Sequence, residues 1–176
     1  MRAERARPSR PQGGFFLIEA MVAILIFALG ILGLVAMGGA AVSSQSDAQY
    51  RTEASSLADA IAGEIAIGIN RSTEVTKAAT LAAFAHQPNP VPTTVPAPCA
   101  FGGAAINPAA APGVAALLSR AANATPGIPG LPGATVANQQ IFIDAAGNFN
   151  RVVITLCWKT ASDAVWRRHT LVTYVN

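Results

Sequence analysis

Residues 13–42 read Gly-Gly-Phe-Phe-Leu-Ile-Glu-Ala-Met-Val-Ala-Ile-Leu-Ile-Phe-Ala-Leu-Gly-Ile-Leu-Gly-Leu-Val-Ala-Met-Gly-Gly-Ala-Ala-Val. From Phe15 onward, Glu19 is the only charged side chain in this stretch. A helix that crosses a bilayer needs roughly 20 apolar residues at ~1.5 Å each. Residues 15–42 exceed that length and are expected to form a transmembrane helix. A fully buried core helix is the alternative. A chain of 176 residues is too short to wrap so long an apolar rod.

N-terminal to this run lies a short basic leader, residues 1–14. It holds Arg2, Arg5, Arg7 and Arg10 against Glu4, which accounts for the whole net charge of +3. The remaining residues balance to zero, and their Lys and Arg are scattered. No nucleic-acid surface is therefore expected. The arginines fit the positive-inside rule, holding the N-terminus in the cytoplasm while the rest is translocated. A standard secretory signal has an apolar stretch of only ~7–15 residues with a small-residue cleavage site after it. The stretch here is about twice that, although Gly38-Gly39-Ala40-Ala41 offers an exit where later cleavage stays open.

Glu19 is costly where it stands. An ionisable group inside a spanning helix costs at least ~2.5–3.5 kcal/mol on insertion scales, so it usually has a partner and a function. Snorkelling to the headgroups is the plain alternative, since Glu19 lies near the start of the run. Gly30, Gly33, Gly38 and Gly39 permit close helix approach and weaken the helix locally. Beyond Val42 the chain turns polar without a helix breaker. Leu57, Ile61, Ile65 and Ile69 recur every four residues beside Ala54 and Ala58, an apolar stripe on a helix. One helix is expected over 15–69: residues 15–42 in the membrane, and residues 43–70 an amphipathic continuation packed on a domain.

The Ala-, Gly- and Pro-rich residues 71–138 read as an irregular loop region. Val114 to Ala122 is a candidate short helix with Pro112 near its start. Gly127-Ile-Pro-Gly-Leu-Pro-Gly133 reads as a loop, because two triplets are too few for collagen. Residues 139–176 read as antiparallel sheet, with strands over 139–144, 151–159 and 165–175. Val152, Ile154, Leu156 and Trp158 share one strand face, set against the helix, and Arg151, Thr155, Cys157 and Lys159 point the other way. The fold class is α+β: a long N-terminal helix packed on a C-terminal antiparallel sheet.

Cys99 and Cys157 are the only cysteines. A translocated setting favours a disulfide between them, worth ~3–4 kcal/mol in the chain-entropy model. It would pin the Pro-rich loop to the outward face of the middle strand. A redox or metal pair is the rival. There is no Cys-x-x-Cys, and His86 and His169 show no ligand spacing, so neither metal nor cofactor is expected. Asp144 is isolated, and no nucleophile triad or phosphate loop is present, so no enzyme and no small-molecule substrate are expected. Asn70-Arg-Ser72 and Asn123-Ala-Thr125 match an N-glycosylation pattern that commonly arises by chance.

The block Gly14-Phe15-Phe16-Leu17-Ile18-Glu19 resembles the class III signal of type IV prepilins and pseudopilins. That signal joins a short basic leader, Gly, an apolar first mature residue and Glu at the fifth. Phe16 stands where the family often has Thr. The resemblance implies cleavage between Gly14 and Phe15 by a membrane prepilin peptidase, followed by N-methylation of Phe15. It also implies that Glu19 meets the N-terminal amine of a neighbouring subunit during assembly. Ile18 to Leu34, with Val153 to Lys159 and Thr173 to Val175, is similar to PilV-type minor pilins, or type IV pilus modification proteins. Many major pilins carry a disulfide loop near the C-terminus, whereas Cys99 lies far upstream. The resemblance implies a pilin-like fold and a subunit that joins other minor and major pilins. Its other partners would be the inner-membrane assembly platform and membrane lipid. Its implied location is the bacterial inner membrane, with a periplasmic C-terminal domain, and later the pilus filament. The implied roles are pilus initiation, adhesion and twitching motility. A minor pseudopilin of a type II secretion system shares the same signal. A DNA-uptake pilin, using a basic patch at Lys159, Arg167 and Arg168, and a tethered enzyme or receptor are further alternatives.

Overall fold

The computed structural model describes residues 15–90, 99–122, 130–144 and 149–175. The basic leader, residues 145–148, residues 127–129 of the Gly-Pro segment and the Asn123 motif lie outside the described residues. Helix α1 (Phe15–Gly68) is one uninterrupted α-helix of 54 residues. Hydroxyls inside it return to the helix's own carbonyls: Ser46 to Val42 at 3.1 Å and Thr52 to Ala48 at 2.9 Å. Its polar turn residues therefore do not break it. The chain divides into two compact units at Asp47 and Ala48.

In the first unit every large apolar side chain from Phe16 to Val42 is exposed. By length and composition this part of α1 suits a membrane span.

The second unit is organised by the stripe on α1. Ala54, Leu57, Ala58, Ile61, Ile65 and Ile69 are buried in one apolar core. Opposite them lies a three-stranded antiparallel sheet of β3 (Gln140–Asp144), β4 (Arg151–Trp158) and β5 (Arg167–Tyr174), in the order β3-β4-β5. Val152, Ile154, Leu156 and Trp158 of β4, with Ile141 of β3, complete the core against the helix. The long N-terminal helix and terminal sheet with one disulfide are consistent with a pilin-like fold.

Residues 71–138 carry regular elements besides the short helix expected from Val114 to Ala122, where an irregular loop region was expected. They hold helix α2 (Glu74–Ala82), helix α3 (Pro112–Ala121), a 3-10 turn at Val136–Asn138, and a short antiparallel pair, β1 (Asn89–Pro90) with β2 (Phe101–Gly102). A reciprocal cap starts α2: Thr73 Oγ1 accepts from the Thr76 N–H at 3.1 Å, and Thr76 Oγ1 accepts from the Thr73 N–H at 3.0 Å. Leu81 then docks into the core. Phe84 presses on Gly68, where an added Cβ would lie 2.6 Å from the ring. A side chain at position 68 would have to displace the tip of that ring. Gly133, at φ +61°, is held against the Lys159 carbonyl with no room for a side chain.

His86 ties these pieces together. It is fully buried. Its backbone exchanges two hydrogen bonds with Ile141, at 3.1 and 2.9 Å. Its Nδ1 accepts from the Ile106 N–H at 3.1 Å, and its Nε2 lies 2.9 Å from the Val136 carbonyl. Both contacts are met only by the neutral ring with the proton on Nε2. Burial accordingly lowers its pKa below the usual 6.5, against the opposing pull of the Val136 carbonyl.

Below pH 6.5 the unfolded chain binds a proton that the folded chain resists, so stability is full above that pH and falls below it. Urea denaturation of the full chain in detergent is expected to show this loss as pH falls below 6.5, with a flat response in His86→Gln. His86→Ala is expected to cost about 2–4 kcal/mol at pH 8, since it strands the Ile106 N–H and the Val136 carbonyl.

Candidate functional site

Two places carry the chemistry that the sequence singles out, one in each unit. The first is Glu19. Phe15 is the first residue of α1, so helical geometry places Glu19 one turn further on, over the same face. Gly14, the other half of the expected cleavage site, lies outside the described residues. Glu19 is exposed, and Ile18, Val22, Ala23 and Ile26 line an open apolar surface around it. Val22, Ala23 and Ile26 follow at three, four and seven residues, the spacing of one helix face. The arrangement is a single carboxylate set in an apolar stripe. In a low-dielectric setting such a group calls for a cationic partner. Around Gly30, Gly33, Gly38 and Gly39, nothing lies within 4 Å of where a Cβ would stand. Their backbone is thus open to close approach by another helix.

The second place is the disulfide between Cys99 and Cys157, which joins Cα atoms 6.1 Å apart across 58 residues. Both cysteines are buried. Asn138 Nδ2 donates to the Cys99 carbonyl at 2.9 Å, holding the incoming segment. Gln139 was not anticipated from sequence. Its side-chain amide donates to the Cys157 carbonyl at 3.1 Å and accepts from the Cys157 N–H at 2.9 Å. It thus copies the pairing of a strand where β3 has not yet begun. Cys157 is thereby enclosed on the outward face of β4, where the sequence had placed it pointing away from the helix. No pattern in one sequence distinguishes a glutamine that pairs with a backbone from one that is solvated.

Charge in the second unit is mostly paired. Glu53 on α1 meets Arg120 on α3 at 3.1 Å, and Asp144 meets Arg151 at 3.4 Å. Such partly exposed pairs contribute up to ~1 kcal/mol. Asp163 accepts from Arg167 at 2.7 Å and from the Thr160 N–H at 3.0 Å. The hydrogen bond from Arg167 is the main cause that lowers its pKa to about 2. The Lys159, Arg167 and Arg168 patch therefore has one of its cations compensated. Among the described residues no group of His, Cys, Asp and Glu is placed to hold a metal ion.

Compared with family models, with curated proteins and with solved structures, the chain matches none.

Two outcomes follow from this geometry. Replacing both cysteines by alanine is expected to cost about 4 kcal/mol by chain entropy, read from urea midpoints with and without reductant. Reductant should destabilise the parent chain and leave the double variant unchanged. Asp163 stabilises the fold above its unfolded pKa of 3.8, and this is lost as pH falls toward 2. Asp163→Asn is expected to flatten the thermal-stability profile in that window alone.

Proposed function

We propose that this chain is a pilin-like subunit, a minor pilin of a type IV pilus most like the PilV type, acting by assembly rather than by catalysis. The observation that carries the reading is the continuity of α1. One helix presents an exposed apolar run with a lone carboxylate one turn from Phe15, and then becomes the core element of an α+β domain. An anchor for a tethered enzyme requires no such carboxylate, and an intramembrane charge without a role is disfavoured.

In this reading a prepilin peptidase cuts between Gly14 and Phe15, and Phe15 is N-methylated. The new cationic amine supplies what Glu19 lacks. An ion pair between Glu19 of one subunit and the amine of the next offsets the burial of both charges in an apolar filament core. The helix serves twice, first in inner-membrane lipid and then among other minor and major pilins mobilised by the assembly platform. The disulfide fits a periplasmic domain that must survive extraction from the membrane. Tip priming, adhesion and twitching motility are the roles proposed for such a subunit.

Mass spectrometry of the chain from its native membrane is expected to give a product beginning at methylated Phe15. Retention of residues 1–14 would sink the reading. Glu19→Ala is expected to leave membrane insertion intact while reducing recovery in sheared filaments at least ~10-fold, for loss of an ion pair worth a few kcal/mol. Deletion should abolish twitching. Loss of enzyme secretion instead would assign the chain to a type II secretion system.

A further inference from the structure

His86 is a buried titratable side chain that the assembly reading does not use. Both nitrogens of its ring are engaged, Nδ1 by the Ile106 N–H at 3.1 Å and Nε2 by the Val136 carbonyl at 2.9 Å. A proton on Nδ1 would set two donors face to face at that 3.1 Å separation. It would also place a cation where no counter-charge stands. Residues 84–90, 101–106 and 136–141 surround the ring's partners, and His86 is their one ionisable side chain. Charges on the neighbouring elements are engaged elsewhere. On α2, Lys77 pairs with Glu74 at 2.9 Å, and at the end of β3 Asp144 pairs with Arg151. At the close of α1, Arg71 donates to the Ala66 carbonyl at 2.8 Å, and Glu64 lies against Gly113. A protonated ring is therefore driven toward water.

The ring does not move alone. The His86 backbone exchanges two hydrogen bonds with Ile141 on the outer edge of β3. Gln87 donates its N–H to the Ala104 carbonyl at 2.9 Å, and its own carbonyl accepts from the Gln140 side chain at 3.0 Å. The β1–β2 pair lies directly beyond. Residues 86–90 and 101–106 thus form one clasp, joined to β3 through His86 and the Gln140 amide. Two features make the clasp weaker than the domain. Among its described side chains only His86 and Ile106 are buried, so little apolar area holds it. Gln87 sits at φ +47°, in the left-handed region that a residue with a side chain enters at a cost. That strain lies just past α2, where the clasp begins. The bond from Cys99 to Cys157 tethers it in either position.

We propose that this clasp is an acid-sensitive latch: a proton on His86 releases residues 86–90 and 101–106 from β3 and bares the strand edge at Ile141 while the core stays folded. The latch belongs to the domain alone and operates whether or not the chain enters a filament. The direction of the change follows from burial. The closed clasp holds the His86 pKa below the usual 6.5, and the open one lets the ring titrate at its ordinary value. Closure is therefore full above pH 6.5. Each pH unit below that raises the open fraction about tenfold, until the closed form also takes up the proton.

Single-residue hydrogen exchange on the full-length chain in detergent, corrected for the intrinsic rate at each pH, tests the latch. The Ile106 and Ile141 amides should lose protection about tenfold per pH unit below 6.5 and respond weakly to low urea. The Leu131 amide, bonded to the Ala121 carbonyl in the core, should stay at least about 100-fold better protected and respond steeply to urea. Ring-nitrogen NMR shifts of His86 should pass from the Nε2–H tautomer to the imidazolium over the same range. His86→Gln can accept from Ile106 and donate to Val136 without titrating, so exchange at Ile106 and Ile141 should become independent of pH. If these two amides and Leu131 lose protection together with one urea dependence, His86 reports only global unfolding and the latch is overturned. Protection that ignores pH in the parent chain overturns it equally. Should His86→Gln fail to fold, the urea dependence of the parent's own amides still decides.

Discussion

The stripe of Leu57, Ile61, Ile65 and Ile69 must be kept dry, and among the described residues it shares one core with the apolar face of β4. The arrangement of residues 48–176 follows from that pairing. At the end of the stripe Gly68 accepts the ring of Phe84, which turns the chain back over the core. Leu81 from α2, together with Val114 and Leu118 from α3, closes the flanks. Each is a short helix that would be marginal alone and is stable because it covers the stripe.

What covers the other face of β4 is polar and covalent rather than apolar. The disulfide, the Asn138 amide and the Gln139 side chain all converge on the Cys99–Cys157 link. This suits a small domain that cannot supply a second hydrophobic layer. His86 does the corresponding work at the β3 edge, where one neutral imidazole joins three segments. Among the described residues the β3 edge is thus closed at Ile141, and no strand pairs with the outer edge of β5.

The helix poses a different problem. From Phe16 to Val42 its side chains are exposed and apolar, with Glu19 as the one ionisable group. Lipid satisfies the apolar part and leaves the carboxylate without a partner. A filament of like subunits satisfies both, provided each brings an amine. The proposed function follows from this mismatch between a surface and any single solvent.

The sequence by itself determined the elements whose signal is periodic. Apolar residues every four positions with no interrupting proline made α1 legible within a residue of its end, and alternation did the same for β4. Pro112 at the first turn marked α3, and the two cysteines had only each other. Helix α2 was not legible. Its cap uses Thr76 in place of Glu or Gln, and its nine residues bury only Leu81, so no apolar period marks it. The tertiary structure alone decided the roles of His86 and Gln139, because a buried polar side chain is defined by partners far away in sequence. Gln139 reaches Cys157 across 18 residues, and His86 reaches Val136 across 50. It also decided which strand edge is closed, since that depends on where the chain returns in space, a matter no local pattern encodes.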